Sequence, residues 1–170
     1  MLADIQSARF EESMLPHVDA AYDVAWWLVS GGSDAEDLVE EVCLRAWRCF
    51  TGFRGGDGRS WLLTIVRSTY YTWVREKPLQ GVAVVTDDLQ SEDVEVPEAA
   101  RLLAESSSRE TLDEVLQALL AEFREAIILR ELVRLSYKEI SEIASVPVGT
   151  VMSRLARARA RLQICPAPEA

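Results

Sequence analysis

Apolar positions recur at helical spacing through the N-terminal part of the chain. The spacing predicts three helices, over residues 16–27, 34–48 and 61–74, each with an apolar stripe on one side and polar positions on the other. Such a stripe is normally buried against neighbouring helices. The predicted stripes consist of Val18, Tyr22, Ala25 and Trp26, then Leu38, Val39, Val42, Cys43, Ala46 and Trp47, and finally Leu62, Ile65, Val66, Thr69, Tyr70 and Trp73.

Further helices are predicted in the second half of the chain, separated by short turns. They cover residues 111–120, 122–132, 136–144 and 150–162. A Ser or Thr followed three positions later by Glu forms a capping box at the start of a helix, and the pattern occurs at several predicted starts. The predicted boxes pair Ser33 with Glu36, Thr111 with Glu114, and Ser136 with Glu139.

Residues 76–110 interrupt the helical pattern. They carry nine acidic against three basic side chains, two prolines and a serine triplet. Such a stretch has too little apolar surface to order itself, so we expect a flexible acidic linker. The fold class expected is therefore all-α, with two small helical domains, residues 1–76 and 111–164, joined by a linker of residues 77–110. All five tryptophans precede residue 75, which supports two separate cores.

The charge of the chain is strongly negative but uneven. The formal net charge is −10 over 170 residues, which argues against a protein that coats nucleic acid or an anionic membrane with most of its surface. Between Ile143 and Pro168, however, there is no acidic residue, and the chain there carries a cluster of arginines. The members of this cluster are Arg154, Arg157, Arg159 and Arg161.

No pattern of a catalytic or metal site is found in the sequence. Cys43, Cys49 and Cys165 lack the paired spacing of a disulfide framework or a zinc site, and His17 is the only histidine. We interpret Cys43 as a packing residue, because it lies on a predicted apolar stripe. No apolar run is long enough to cross a membrane, and the N-terminal residues do not resemble a signal peptide. We expect a cytoplasmic protein without membrane insertion that is not an enzyme and holds no cofactor or metal.

The last two predicted helices form a helix-turn-helix signature. The short helix 136–144, the turn "SVPVG" and the basic helix 150–162 have the lengths of this motif. If Ile140, Ile143, Val151 and Leu155 face inward, four polar residues of the last helix face outward, where they can reach base edges or phosphates. These predicted DNA-binding residues are Thr150, Ser153, Arg154 and Arg157. The alternative is a solvated basic face on a helical bundle.

Two long stretches of the chain resemble a known family, the extracytoplasmic-function (ECF) sigma factors, which direct bacterial RNA polymerase to promoters. "DAEDLVEEVCLRAWRCF" with "FRGGDGRSWLLTIVRSTYYTWVR" is similar to the second conserved region of the family. "FREAIILREL…LSYKEISEIASVPVGTVMSRLARARARL" is similar to the fourth. The resemblance implies that the first domain binds core polymerase and opens the minus-ten element, and that the second reads the minus-thirty-five element. It also implies an anti-sigma factor as a partner.

The polar side of the predicted helix 34–48 is a candidate polymerase-binding surface. Taken alone, a run of charges on one helix face is a solvated surface more often than an interface. The resemblance implies instead that this face docks on the clamp coiled coil of the largest polymerase subunit. The residues are Asp37, Glu40, Glu41, Arg45 and Arg48.

The loop after this helix and the polar face of the next one are the candidate minus-ten surface. Glycines in the loop let the backbone approach a DNA strand and accommodate an extruded base, while the helix offers cations for phosphate and a tyrosine for stacking. The residues are Phe53, Arg54, Thr64, Arg67, Ser68, Tyr71 and Arg75. Many family members carry asparagine in place of Ser68 and aspartate in place of Thr72, and serine cannot make the bidentate base contact of an asparagine.

Two other functions remain compatible with the residues. One is a stand-alone helix-turn-helix regulator, dimeric on a palindromic operator, which would bind DNA tightly without polymerase. The other is a degenerate sigma-like protein that binds polymerase or an anti-sigma factor but no longer opens promoters, an alternative that Ser68 and the acidity of the chain keep open. Transcription from promoter DNA distinguishes these alternatives from an active sigma factor.

Overall fold

The computed structural model describes residues 1–76 and 109–162, and every regular element in these ranges is helical. The prediction of an all-α fold is confirmed. The chain divides into two compact units, one based on Met1–Glu76 and the other containing most of the remaining chain. The predicted acidic linker, residues 77–110, lies outside the described residues except for its last two positions.

The first unit contains four α-helices that enclose one core. Helices α2, α3 and α4 pack against one another, and α1 packs on α4. Short 3-10 turns follow α1 and α3. The helices are α1 (Leu2–Met14), α2 (Val18–Val29), α3 (Gly32–Cys49) and α4 (Gly58–Glu76). Three of them correspond to predicted helices, whereas α1 was not predicted because its apolar positions do not form a clear stripe.

The buried sides of α3 and α4 differ in part from the predicted stripes. Trp47 was expected in the core but is 39% exposed, which corrects that prediction. On α4, Leu63 and Val74 are buried although they were not assigned to the stripe, while Trp73 is only partly buried. Because α4 contacts α1, α2 and α3, its buried sector is wider than a single stripe.

A glycine turn, rather than a capping box, begins α3. Gly31 is the N-cap residue, its φ is 76°, and no side chain caps the helix. Ser33 is already inside the helix, so the predicted capping box of Ser33 and Glu36 is wrong. A Cβ atom at Gly31 would lie 2.5 Å from Cε2 of Trp26, and the positive φ also favours glycine there. The turn between α2 and α3 therefore depends on this glycine.

The second unit contains the helix-turn-helix. Its helices are α5 (Arg109–Gln117), α6 (Ala121–Ile127), α7 (Tyr137–Ala144) and α8 (Val148–Leu162). The predicted helix 122–132 ends in a π-helical turn, Ile128–Leu132. Helix α8 packs mainly against α6, and it begins two residues earlier than predicted. The carbonyl of Pro147 accepts hydrogen bonds from the backbone of Thr150 (2.9 Å) and Val151 (3.2 Å), which stabilise this early start.

The capping box at α7 is confirmed. The backbone N–H of Ser136 donates to Oε2 of Glu139 at 2.7 Å, and the N–H of Glu139 donates to the Ser136 hydroxyl at 3.1 Å. Helix α5 begins at Arg109, before Thr111, and the side chain of Thr111 lies outside the described part of the structure. Its predicted capping box therefore stays a prediction. Ile140, Ile143, Val151 and Leu155 are all buried, as the helix-turn-helix signature predicted.

A buried arginine closes the C-terminal end of α5. Arg124 is 1% exposed, and its Nε donates to the carbonyl of Leu116 at 2.8 Å. Its Nη2 donates to the carbonyls of Leu119 at 2.8 Å and Gln117 at 3.1 Å. These carbonyls belong to the end of a helix, where intrahelical partners run out. Arg124 thus connects α6 to α5 through the backbone, a role that the sequence did not predict.

Candidate nucleic-acid and partner interfaces

The five charged residues predicted on α3 lie on its exposed side. Asp37, Glu40 and Arg48 are exposed, while Glu41 and Arg45 are partly exposed and form an ion pair of 2.9 Å. This pair is four residues apart on one helix, so it contributes only about 0.3–0.5 kcal/mol to stability. The charges therefore remain largely available to a partner.

An apolar residue lies among these charges. Leu44 is 47% exposed, and it is three or four positions from Glu40, Glu41 and Arg48 on the same helix. Trp47, also exposed, adjoins it one turn along. An apolar centre within a polar rim is the usual organisation of a protein–protein interface. The sequence reasoning missed Leu44, although its helical phase places it with the charged residues rather than with the buried stripe.

An aromatic cluster connects α1, the end of α3 and the beginning of α4. The buried ring of Phe50 contacts Phe10 (5.2 Å between centroids) edge-on and stacks on Phe53 (5.6 Å). Phe10 also contacts Trp47 (5.2 Å), and Phe53 contacts Trp61 (5.1 Å). Phe53, a predicted minus-ten residue, is therefore partly exposed but packed on two rings. Phe50 is a core residue, only 3% exposed.

The loop before α4 combines an exposed cation with a helix cap. Arg54 is exposed, and the glycines that follow it, Gly55 and Gly56, have φ values of 87° and 94°. Asp57 then accepts hydrogen bonds from the hydroxyl (2.6 Å) and the backbone N–H (3.3 Å) of Ser60 in the first turn of α4. The hydrogen bond from the Ser60 side chain is the main cause that lowers the pKa of Asp57, so its carboxylate stays charged.

The predicted minus-ten face of α4 is solvent-facing. Thr64, Ser68 and Arg75 are exposed, while Arg67 and Tyr71 are partly buried. The guanidinium of Arg67 lies over the Tyr71 ring, 4.7 Å from its centroid. This cation–π contact holds the tyrosine ring and the cation in one place on the surface.

The hydroxyl groups on this face bond to the helix that carries them. Thr64 donates to the carbonyl of Ser60 (2.8 Å), Ser68 to that of Ile65 (3.1 Å), and Thr72 to that of Ser68 (2.9 Å). Because each hydroxyl oxygen still has a free lone pair, these groups can accept but are less ready to donate. Ser68 thus presents a different hydrogen-bonding surface from the asparagine that is frequent in the family.

The four predicted residues of α8 are exposed to different degrees. Ser153 and Arg157 are exposed, and Thr150 and Arg154 are partly buried. Val151 and Leu155 lie on the opposite, buried side. The outward face also includes the exposed side chain of Met152, which the sequence reasoning did not select although it adjoins Ser153. Ser153 and Arg157 are consequently the members of the predicted set that are directed most openly to solvent.

The four arginines of α8 have different surroundings. Nη2 of Arg154 is 3.7 Å from Oε2 of Glu122 on α6, and Nη2 of Arg159 is 2.8 Å from Oε1 of Glu131 in the π-helical turn. The guanidinium of Arg161 lies over the Phe123 ring, 4.8 Å from its centroid. Within residues 1–76 and 109–162, Arg157 makes no ion pair. The basic cluster seen in the sequence is therefore not one uniform surface.

Neither a metal site nor a membrane span is found in the described residues. No group of three or more His, Cys, Asp or Glu side chains in residues 1–76 and 109–162 could hold a metal ion. None of the helices described is long and apolar enough to cross a membrane. Burial raises the pKa of the Cys43 thiol, which favours the unreactive protonated form and agrees with a packing role. Cys165 lies outside the described residues.

Two sequence families match the chain, one in each unit. Residues 14–78 match "Sigma-70 region 2", and residues 109–162 match "Sigma-70, region 4". The candidate surfaces on α3 and α4 fall within the first match, and α8 falls within the second. Helix α1, whose Phe10 contacts the aromatic cluster, lies almost entirely before the first match.

Similar proteins and structures belong to one class. The chain is 30% identical over 154 residues to the ECF RNA polymerase sigma factor SigE of Mycolicibacterium smegmatis, a match that spans 91% of this chain and 60% of that relative. It is 34% identical over 134 residues to the ECF RNA polymerase sigma-E factor of Escherichia coli (strain K12), spanning 74% of this chain and 70% of that protein.

Two solved structures resemble the chain. The sigma factor RpoE from Bartonella quintana, in complex with the anti-sigma factor NepR, superposes with a TM-score of 0.70 at 29% identity, covering 91% of this chain and 94% of that one. CnrH, in complex with the cytosolic domain of CnrY, has a TM-score of 0.64 at 24% identity, which supports the fold. With both conserved regions matched in order and relatives of one kind, the chain belongs to the ECF sigma factors of RNA polymerase.

Proposed function

We propose that this chain is an alternative sigma factor that binds bacterial core RNA polymerase, directs it to specific promoters and helps to open the minus-ten region. Residues 1–76 would bind polymerase and the minus-ten element, residues 77–110 would connect the domains, and residues 111–164 would bind the minus-thirty-five element. The observation that carries this proposal is the match of regions 2 and 4, in this order, on one chain.

The polymerase-binding surface in this proposal is the exposed side of α3. The charged residues Asp37, Glu40 and Arg48 supply orientation and discrimination, and the exposed Leu44 supplies apolar area that is removed from water on docking. The Glu41–Arg45 pair flanks the same area. A charged rim around an apolar centre is suited to a specific helix-to-helix contact.

The minus-ten surface in this proposal is formed by the loop and the exposed face of α4. Arg54 and Arg75 are exposed cations for the phosphates, and the Arg67–Tyr71 pair offers an aromatic surface beside a positive charge. Phe53 precedes Arg54 in the loop, although its ring is packed on Phe50 and Trp61. Thr64 and Ser68 complete the face with hydroxyl groups that can accept hydrogen bonds.

The minus-thirty-five surface in this proposal is the outward side of the first turns of α8. Ser153 and Arg157 are exposed and can make base and phosphate contacts, and Thr150 is partly buried at the start of the same helix. Arg154 was predicted from the sequence to read base edges, and this role stays a prediction. Its ion pair with Glu122 would have to be exchanged for a DNA contact.

The chemical step of transcription belongs to polymerase, so the chain would act by binding alone and without a cofactor. Its place of action would be the cytoplasm, where promoter DNA and polymerase are found. RpoE and CnrH were each solved with a bound protein, in the first case an anti-sigma factor. These complexes support the further proposal that an anti-sigma factor controls this chain.

Reconstitution with purified core polymerase tests the function. The full-length chain is added to core enzyme, the bound DNA is recovered and sequenced, and run-off transcripts are measured on the recovered fragments. We expect enrichment of fragments that share a minus-ten and a minus-thirty-five element, and transcripts that start at a fixed distance from them. Tight binding of a palindrome by the chain alone would support a stand-alone regulator. Polymerase binding without transcripts would support the degenerate sigma-like protein.

A further inference from the structure

Two ion pairs lie on opposite flanks of the buried side of α8. The buried side is formed by Val151, Leu155, Ala158 and Leu162. At 100° per residue, Arg154 projects about 70° to one side of the centre of this stripe and Arg159 about 70° to the other. Each arginine meets a carboxylate from the preceding helical segment: Glu122 on α6 and Glu131 in the π-helical turn.

Both arginines are largely enclosed by the unit to which they belong. The side chain of Arg154 is 16% exposed and that of Arg159 is 12% exposed. Arg159 also interacts with Tyr137 at the start of α7. Burial by itself would lower the pKa of Arg159, but the hydrogen bonds to Glu131 and Tyr137 and the negative charge of Glu131 outweigh burial and raise the pKa above its ordinary value. The guanidinium is thus held as a cation by internal partners.

The ion pair of Arg159 and Glu131 is not arranged for the greatest stability. The Nε atom of Arg159 is buried without a hydrogen-bond partner among the described residues, and this burial carries a desolvation cost. Buried ion pairs often contribute little net stability compared with apolar side chains of similar size, and in several proteins they instead fix one arrangement of packed elements. The two ion pairs are therefore better explained by an effect on the orientation of α8 than by an effect on stability.

The rotation of α8 about its axis is the property that two such flanking pairs control. An apolar stripe of Val, Leu and Ala side chains tolerates small rotations, because its contacts have no preferred direction. An ion pair on each flank opposes rotation, since turning the helix either way lengthens one of them. A rotation of about 20° moves a side-chain tip at the outer helix radius of about 5–6 Å by about 2 Å, which is enough to break a hydrogen bond.

We propose that Glu122 and Glu131, acting through Arg154 and Arg159, are positioning residues that set the rotation of α8 and so determine that Ser153 and Arg157 face the bases of the minus-thirty-five element. The inference rests on the proposed function, because it concerns how that DNA surface is oriented. It assigns Arg154 a role different from the base contact predicted from the sequence. Of the four arginines of α8, it makes Arg154 and Arg159 positioning residues and Arg157 a DNA contact, while Arg161 lies over the Phe123 ring.

The test measures the base preference of the holoenzyme rather than its affinity alone. Holoenzymes with Glu122→Gln, Glu131→Gln or the control Glu114→Gln are bound to a set of promoters that carry every single-base change in the minus-thirty-five element. Glu114 is exposed on α5 and, among the described residues, forms no ion pair with an arginine of α8, so its substitution makes the same charge change in the same unit. Thermal unfolding of each full-length variant is measured in parallel.

We expect Glu122→Gln and Glu131→Gln each to reduce the discrimination between the preferred element and its single-base variants about threefold to tenfold. The control should change binding to all promoters by one common factor. A merely structural role would lower the amount of active protein and would leave the preference unchanged, because the remaining folded molecules would still present Ser153 and Arg157 correctly. Unchanged preference in both glutamine variants overturns the proposal.

A second, independent experiment exchanges the charges of Glu131 and Arg159. Glu131→Arg combined with Arg159→Glu reverses the ion pair, so the preference lost in Glu131→Gln should return. If Arg159 contacted DNA directly, the exchanged protein would bind all promoters more weakly, because a glutamate would face phosphate; this outcome contradicts the proposal.

For the ion pair on the other flank of α8, Arg154→Ala and Glu122→Gln should cause the same loss of base preference, and the double variant should cause no further loss. If the losses of base preference in the two single variants add up in the double variant, Arg154 contacts bases directly and is not a positioning residue.

The wild-type control separates this inference from the proposed function. If the wild-type holoenzyme shows no promoter preference, the sigma-factor function fails and the inference fails with it. If the wild type selects promoters and the glutamine variants keep the same preference, only the inference fails.

Discussion

The exposed faces of α3 and α8 both carry several charged residues, yet their charges are used differently. On α3 the charges face solvent, and the ion pair of Glu41 and Arg45 lies within the helix itself. On α8 two arginines pair with carboxylates of neighbouring segments, a third lies over an aromatic ring, and Arg157 is exposed. The same feature of the sequence, charges at helical spacing, therefore gives mostly solvent-facing side chains on α3 and ion pairs with neighbouring segments on α8.

The comparison shows what decides the role of a charged side chain. An arginine near a carboxylate of an adjacent helix is partly removed from solvent, and its contact with DNA must compete with that partner. An arginine without such a neighbour keeps its full electrostatic attraction for phosphate. The number of positive charges on a helix is consequently a poor measure of its DNA-binding surface. Arginines that are paired with carboxylates of the same protein should not be counted as free to bind phosphate.

The largest effect is expected where a charge is entirely internal. Arg124→Ala removes the donors of three carbonyl groups at the end of α5, two of them in buried hydrogen bonds, so the free energy of unfolding should fall by about 3 kcal/mol or more. Urea unfolding of the full-length chain measures the change. Arg134→Lys, at an exposed arginine of the same unit, should leave stability nearly unchanged. Equal stability of the two variants would show that the Arg124 contacts do not hold the helix end.

A smaller but specific effect is expected at the centre of the α3 surface. Leu44→Arg places a charge where apolar area is removed from water, and affinity for core polymerase should fall by about 2 kcal/mol or more, roughly 30-fold. Leu15→Arg is the matched control, because Leu15 is also exposed in the same unit but does not lie on α3. Binding is measured by titration of labelled chain with core enzyme. If both variants bind equally well, the α3 surface is not the contact.

The exposed arginine of α8 should affect DNA binding and little else. Arg157→Ala should weaken holoenzyme binding to promoters by about 1–2 kcal/mol and reduce the salt dependence by about one charge. Arg161→Ala makes the same change on the same helix but removes a cation that lies over the Phe123 ring, so its effect on DNA should be smaller. Binding is followed at several salt concentrations. A larger effect of Arg161 than of Arg157 would reverse this assignment.

The smallest effect is expected on the exposed face of α4. Ser68→Asn adds an amide that can make two hydrogen bonds to one base, so preference at one minus-ten position should change by about 1 kcal/mol, while polymerase binding stays the same. Thr64→Asn provides the comparison one turn earlier on the same face. The readout is transcription from a set of minus-ten variants. A uniform change at all positions would indicate that Ser68 acts through the helix and not through a base.

Much of the fold could be predicted from the local pattern. The helices, the helix-turn-helix and the capping box of Ser136 and Glu139 follow from apolar periodicity and short-range hydrogen bonding, which the sequence expresses directly. The start of α3 could not be predicted in the same way. A capping box is present in its sequence, but the positive φ of Gly31 starts the helix earlier and places Ser33 inside it.

The site was predicted less completely, for two physical reasons. The exposed side of α3 was identified from its charges, but Leu44 was missed because an apolar residue is ordinarily assigned to the core. On α8 the outward face was predicted from helical phase, but the partner of Arg159 is 28 positions away, and its contact depends on tertiary packing rather than on helical phase. Long-range partners of this kind decide which charges remain available.

Run-off transcription by reconstituted holoenzyme tests the central claim most directly. Core polymerase is combined with the wild-type chain, with Leu44→Arg or with Arg157→Ala, on a promoter recovered from the binding experiment. The account predicts a transcript with one defined start for the wild type, almost none for Leu44→Arg at limiting chain concentration, and a reduced amount from the same start for Arg157→Ala. Absence of a specific transcript with the wild-type chain, together with tight and specific DNA binding in the absence of polymerase, would contradict the account.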